Sequence, residues 1–424
     1  MRILVISRNP WDDANAVGNT VSNFFGGIPG LEFAHIYFRS GSPNNPVCSR
    51  YYRVTETEVL KKWYRRKKIG SGFACNEPAQ SRQVPNRESR EKRLVSLIQK
   101  HNLKLVYKLS DQIWYSKKWI NGNLRSFVED FAPDLVFTFV KSAPQYYLTV
   151  RYLREEFGVP VFSWIADDEY TGLLRKKRRR EIENLRYILE ESAVVRGCSQ
   201  ELCDYYNRVF SCNAEPLYKS CDLTAPVKTA VRYPLRLVYA GNLLYGRLEI
   251  LKQIAQALEE LWDQGKQATL DIYSNTPPPG RDEHFFGEMT CTRYLGQRDY
   301  GIIKKELASA DMVVHVESFE PDQLLKTKYS FSTKIIDALQ SGNVLLAVGP
   351  AEQASMGYIR RIPGTCVIQD PRRIREDLAF FLGDAPSLGS RAQAIRAFAA
   401  EHHDRRANAG KLEEILSRIV EGAG

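Results

Sequence analysis

The chain has no apolar run approaching the roughly 20 residues that a membrane-spanning helix needs. It also has no C-x-x-C pair among its eight cysteines, no G-x-G-x-x-G fingerprint and no Walker lysine motif. These absences argue against a helical membrane protein, a dinucleotide enzyme of the standard type and a P-loop nucleotidase. Cys198, Cys203, Cys212 and Cys221 lie close in sequence, but their spacing fits no zinc pattern and no histidine lies among them. Free thiols in a reducing cytoplasm are the expectation, with no metal site. The opening MRILVIS runs straight into Arg8, Asn9 and Pro10, which marks a first strand and not a secretory signal.

What is present is a globular composition: 424 residues, 43% hydrophobic and 26% charged. That length predicts two or three domains. The formal charge is +10, and two short runs account for it: KKWYRRKK (Lys61–Lys68) and RKKRRR (Arg175–Arg180), each with six cations. Such runs suit polyanionic partners, and near an anionic lipid surface each cation contributes about 1 kcal/mol. Trp63 and Tyr64 within the first run favour a membrane interface. Solvated surface segments are the plainer alternative. Nucleic acid is not expected, because no recognised nucleic-acid motif accompanies the charge.

Strand-like apolar runs alternate with helical patterns along both halves. In the first, RILVIS, FAHIYF (Phe33–Phe38), PDLVFTFV, VPVFSWIAD and SAVVRG read as strands, with helix expected over Arg175–Glu191 and after a Ser199 cap. The segment WDDANAVGNTVSNFFGG reads as a loop after the first strand, and Gly41–Arg90 shows no period. DLTAPVKTAVRYP (Asp222–Pro234) reads as a linker. Beyond it LRLVYAG, ATLDIYS, DMVVHVES and NVLLAVG read as strands between amphipathic helices. Two such halves predict an α/β protein of two Rossmann-like domains facing each other across a cleft, over residues 1–225 and 226–404, with a final helix at about 405–424 that joins the first. His402 and His403 read as surface residues.

Four constellations carry candidate chemistry. In YSFSTKIIDALQSG, Ser332 and Thr333 would cap a helix whose N-terminus attracts phosphate, with Lys334 adding a point charge. Asp337 lies five residues beyond Ser332, about 7.5 Å along a helix axis, where a carboxylate could accept from a vicinal diol. An ion pair between Lys334 and Asp337 on a surface turn is the plainer alternative. In YAGNLLYGRLEILK, Asn242 sits in a loop after a strand, and Arg247 and Lys252 follow near a helix start, where two cations can converge on a diphosphate. Gly18 and Asn19 follow the first strand, where a glycine lets backbone N–H groups approach a ligand. In WIADDE, Asp167, Asp168 and Glu169 could bind hydroxyls, act as a base or cap the next helix.

Taken in this order, the four pieces resemble the GT-B glycosyltransferases, specifically the retaining group-one type (family four), over nearly the whole chain. The resemblance implies transfer of a sugar from a nucleoside-diphosphate sugar, of UDP or GDP type, to a glycan or lipid-linked glycan, with retention and without a metal. It implies that Arg247 and Lys252 neutralise the departing diphosphate and that Asp337 binds the ribose. The paired glutamates of that family would fall on Tyr329 and Asp337, and its histidine on Ala166 before Asp167. The first glutamate and the histidine are therefore missing here. Glu320 and Lys328, in what looks like a longer loop, are further candidates for the cleft. A nucleotide-sugar epimerase of the same fold, or a non-catalytic binding protein, are the alternatives. The expected location is cytoplasmic, or peripheral on the inner face of the cytoplasmic membrane.

Overall fold

The computed structural model describes residues 1–13, 15–59, 69–74 and 111–422. The basic run Lys61–Lys68, Cys75 and the segment Glu91–Asn102, whose sequence EKRLVSLIQKHN has a helical pattern, lie outside the described residues. The chain divides into two compact units. The first comprises Met1–Cys198, Cys203–Leu217 and Ala409–Gly424, and the second Ser199–Leu202 and Tyr218–Asn408.

The first unit holds one sheet of β1 (Arg2–Ser7), β2 (Glu32–Tyr37), β3 (Arg50–Arg53), β4 (Ser71–Ala74), β5 (Leu135–Phe139), β6 (Val161–Ile165), β7 (Ser192–Gly197) and β8 (Glu215–Pro216). Its order is β4-β3-β2-β1-β5-β6-β7-β8, and every pairing is parallel except β3 with β4. Every residue of β5 and β6 is buried, the signature of strands covered on both faces. Edge-on aromatic contacts knit helix to sheet: Phe25 with Phe137 at 5.0 Å and Phe24 with Trp164 at 5.3 Å. Each such pair contributes about 0.5–1.5 kcal/mol beyond burial.

The second unit holds β9 (Leu235–Ala240), β10 (Ala268–Tyr273), β11 (Thr292–Gly296), β12 (Met312–Val316), β13 (Val344–Val348) and β14 (Cys366–Ile368). The order is β11-β10-β9-β12-β13-β14, with all pairings parallel. Both sheets therefore run outward in both directions from their first strand. The order reverses between β1 and β5 in one unit and between β9 and β12 in the other, and an open α/β sheet presents its binding crevice at such a point.

Several elements differ from the sequence expectation. The stretch read as a loop after β1 forms the helix Ala16–Phe25, with Thr20, Val21, Phe24 and Phe25 on its buried face and Asn15 as its cap. The single helix expected over Arg175–Glu191 is two, Tyr170–Arg175 and Arg179–Glu190, broken where Lys177 adopts φ +53°. The supposed loop around Glu320 contains the helix Pro321–Thr327, with Glu320 exposed at its cap and proline in its first turn. Asp222–Pro234 lacks regular structure but is tied into the second unit: Lys228 pairs with Asp311 at 2.7 Å, and Arg396 donates to the Leu223 and Ala225 carbonyls. His403 is fully buried, not exposed, with Nε2 2.6 Å from Tyr358 Oη and Nδ1 2.9 Å from the Lys219 carbonyl. Among the described residues no helix is long and apolar enough to cross a membrane.

Candidate functional site

The site of the second unit is built where β9 and β12 part. β9 ends at Ala240, and a short turn carries the chain to the helix Arg247–Trp262. Tyr239 Oη donates to the Asn242 carbonyl at 2.6 Å, and Asn242 Oδ1 accepts from the Leu244 N–H and from Arg247 Nη1 at 2.9 Å. Asn242, expected to touch a ligand, thus braces the turn and the arginine that follows it.

The turn closes through Gly246 at φ +74°, where a side chain would collide with Ser318. Gly246→Ala is therefore expected to lose roughly 1–2 kcal/mol from the left-handed backbone alone. It should also displace Arg247, the next residue. Urea unfolding checks this against Gly280→Ala, a position with nothing within 4 Å and an expected effect near zero.

Arg247 is buried, with four hydrogen bonds from its guanidinium to the protein. Nε donates to the Val316 carbonyl at 3.2 Å, and Nη2 to both oxygens of Glu317 at 3.0 and 2.9 Å. Glu317 directly follows β12, its N–H donates to the Val348 carbonyl, and its side chain is 2% exposed. Burial pushes its carboxyl up, but the His315 imidazole, once protonated, and the Arg247 guanidinium outweigh that and hold it at about 2. His315 is itself pushed down by burial, and its Nε2 stands 3.4 Å from Glu317 Oε1 without an aligned hydrogen bond. At neutral pH Arg247 is thus the formal counter-charge of Glu317.

Lys334 opens the helix Lys334–Ser341, and no side chain caps this N-terminus. The expected caps do not form: Thr333 is exposed, and the Ser332 N–H donates to Ser355 Oγ at 2.9 Å. Lys334 Cε lies 2.7 Å from where a Cβ would stand on Gly241, which places the lysine against the turn after β9. Lys334 has no hydrogen bond or ion pair among the described residues. Burial and the nearby Arg247 push its ammonium down to about 8, with Glu317 and Asp337 opposing. The surface ion pair with Asp337 is absent. Instead Asp337 Oδ1 accepts from Tyr300 Oη at 2.8 Å and Gln340 Nε2 at 3.2 Å, and burial pushes its carboxyl up.

Lys252 stands apart. It pairs with Asp282 at 2.9 Å and Glu249 at 3.4 Å, and shares none of Arg247's partners. The helix starts at Arg247, so five residues at 100° each put the two side chains about 140° apart on its surface.

In the first unit, Lys141 follows β5 and gathers two acids from the end of β6: Glu169 at 3.0 Å and Asp167 at 3.6 Å. Asp167 is mostly exposed, whereas Glu169 Oε2 also accepts from the Ser142 N–H, and Asp168 Oδ1 accepts from the Thr171 N–H at the next helix. Gly18 and Asn19 lie inside the helix Ala16–Phe25. The Gly18 N–H is taken by Asn15 Oδ1 at 2.9 Å, and the backbone that a Gly18 side chain would strike is that of Asp12. The close approach there is made by the protein's own chain. Tyr329 offers its carbonyl to Ser199 Oγ at 2.7 Å.

Sequence reasoning missed Glu317. It reads as the polar end of a strand, and its partner lies 70 residues earlier in the chain. Only the fold brings the two together. Among the described residues no group of three or more His, Cys, Asp or Glu side chains could hold a metal ion.

No protein-family model matches the chain, and no curated protein matches it. Solved structures match over nearly its full length. Sucrose-phosphate synthase from Thermosynechococcus elongatus aligns with a TM-score of 0.65 at 12% identity, covering 99% of each chain. HepE of Anabaena, solved in complex with UDP and glucose, aligns at 0.62 and 11%, covering 99% of this chain and 100% of that one. WaaG, a glycosyltransferase involved in lipopolysaccharide biosynthesis, aligns at 0.58 and 12%, covering 98% and 99%. With the reversing strand order found in both units, these likenesses establish that the chain has the GT-B fold, an α/β architecture of two Rossmann-like units.

Proposed function

We propose that the chain is a glycosyltransferase that moves a sugar from a nucleoside-diphosphate sugar to a glycan or lipid-linked glycan. The observation that carries this reading is Lys334: an unpaired, largely desolvated cation at an uncapped helix N-terminus, beside an arginine at the β9/β12 switch point. Such a group attracts an anion, and it stabilises charge that grows on a departing diphosphate better than water can. HepE, solved with UDP and glucose, supports the same class of donor.

In this reading Arg247 and Lys334 face the diphosphate. Asp337 accepts from the ribose hydroxyls once Tyr300 gives way, and Asp167 is the candidate base of the first unit. Lys252 joins only by leaving Asp282. Protein cations supply the charge, so the proposed chemistry needs no metal. Retention of configuration rests on the family resemblance. A lipid-linked acceptor at an anionic membrane surface is the finer proposal, and it rests on the two basic runs. In the described run, Arg178 pairs with Asp111 and Glu181, and Arg180 lies over the Tyr115 ring, while Arg175–Lys177 are exposed.

The test is a thermal-shift comparison of UDP, GDP and ADP. A ligand at 100 times its Kd adds about 2.7 kcal/mol. For a unit of this size that moves the transition by about 5–10 °C. UDP or GDP is expected to produce the shift, and the reading fails if none of the three does. The non-catalytic alternative draws support from Asp337, whose carboxylate is already engaged by Tyr300 and Gln340. Donor binding with neither hydrolysis nor transfer would favour it.

A further inference from the structure

Arg247 does not resemble an arginine waiting for a phosphate. A guanidinium offers five N–H groups in a rigid fork. Here Nε is committed to Val316, Nη1 to Asn242 and Nη2 to both oxygens of Glu317. Only what remains on the two Nη groups can meet a ligand, and its direction is set by four protein contacts. The charge is equally committed, because Glu317 is buried against Arg247 and the neighbouring imidazole of His315 is uncharged at neutral pH. Lys334, which has no hydrogen-bonded partner among the described residues, is left as the free cation beside them, with Glu317 and Asp337 acting on it only at a distance.

We propose that Glu317 is a positioning residue for the diphosphate site: it holds the Arg247 guanidinium in one orientation and cancels its charge, so that Lys334 provides the attraction and Arg247 the geometry. The surroundings of Glu317 fit that role. Its backbone extends the β12–β13 ladder, and Gly349 after β13 leaves room for it, since a Cβ there would stand 3.0 Å from Glu317 Cβ. A carboxylate set in a sheet moves little, so the arginine clamped to it is fixed as well. Fixing donors before the ligand arrives avoids reorganisation as charge develops. A net attraction limited to one cation also keeps the diphosphate product from binding too tightly to leave.

This inference rests on the nucleoside-diphosphate reading, and the experiment separates the two. UDP and GDP are titrated calorimetrically into the wild-type protein at several salt concentrations. If neither binds, the nucleotide reading itself fails. Glu317→Gln keeps the shape and removes the charge. It is expected to bind the nucleotide several-fold more tightly at low salt, with a steeper salt dependence, because the site gains a full positive charge. A merely structural Glu317 would instead give weaker binding with the wild-type salt dependence, and that result overturns the proposal. Should Glu317→Gln fail to fold, Glu317→Asp decides. It keeps the charge and draws the fork back by one methylene, so wild-type salt dependence with affinity lowered about tenfold supports positioning. Unchanged affinity overturns it.

Discussion

Arg247→Ala is expected to destabilise the second unit by about 3–5 kcal/mol, the range for removing one partner of a buried ion pair. The loss comes from Glu317, which keeps its burial and loses its counter-charge. The pH dependence identifies the cause. In the wild type the Glu317 carboxyl is held at about 2, below its ordinary 4.5. A depressed carboxyl contributes stability that is present above the ordinary value and is lost as pH falls toward the folded one. The gap between wild type and Arg247→Ala should therefore be full at pH 7 and shrink toward pH 2, starting from the higher value to which burial pushes the Glu317 carboxyl once the guanidinium is gone. Urea unfolding at pH 7 and pH 3 measures it, and a gap independent of pH would mean that lost packing is responsible. Lys252→Ala is the companion variant. If its nucleotide affinity is unchanged, Lys252 stays with Asp282 and the diphosphate belongs to Arg247 and Lys334.

Lys334→Met should separate stability from binding. The half-buried ammonium is disfavoured in the fold, which is why it is pushed from 10.5 down to about 8. Below about pH 8 that charge is carried in both the folded and the unfolded chain, and the fold bears its cost. The cost fades as pH rises from about 8 to 10.5. Methionine removes it, so the variant should be as stable as the wild type or more so, with the gain greatest below pH 8. Nucleotide binding should move the other way. A hydrogen bond to a charged group contributes about 1.5–3 kcal/mol, which corresponds to about 10- to 100-fold weaker UDP or GDP. In the wild type a bound anion favours the protonated lysine. Affinity should be flat below about pH 8 and fall above it. Calorimetry across pH 6.5–9.5 reads this directly, and a stable Lys334→Met protein with wild-type affinity would remove Lys334 from the site.

The strands that build the two switch points were legible because they are apolar runs with clear ends: RILVIS is β1 residue for residue, and LRLVYA, which is β9, lies within LRLVYAG. Edge strands were not. β3 reads RYYR and β4 reads SGFA, too short and too polar to stand out from the polar stretch around them. The helix Ala16–Phe25 was hidden by its glycine and two asparagines, although Val17, Val21, Phe24 and Phe25 carry a helical spacing.

Of the candidate site residues, the fold brings Arg247, Asn242 and Lys334 together and sets Lys252 apart beside Asp282. Proximity in sequence says little about such grouping until the helix start is known. Polar partners such as Glu317, Tyr300 and Ser355 could not be seen at all. Each is chosen by the fold and not by its neighbours in the chain. His403 makes the same point, since its aromatic and carbonyl partners come from residues 358, 218 and 219.

The helix Arg405–Glu421 enters the second unit with its first residues and belongs to the first unit from Ala409 onward, where Leu412, Leu416 and Ile419 are buried. The first unit is therefore not a continuous piece of chain, and this bears on how the protein is made. A ribosome adding about 5–20 residues per second needs roughly 10–40 s to pass through Tyr218–Asn408. For that interval the first sheet has emerged without the helix that completes it. The surface that Leu412, Leu416 and Ile419 will cover stays open during synthesis, and that is when a holding chaperone has something apolar to grip.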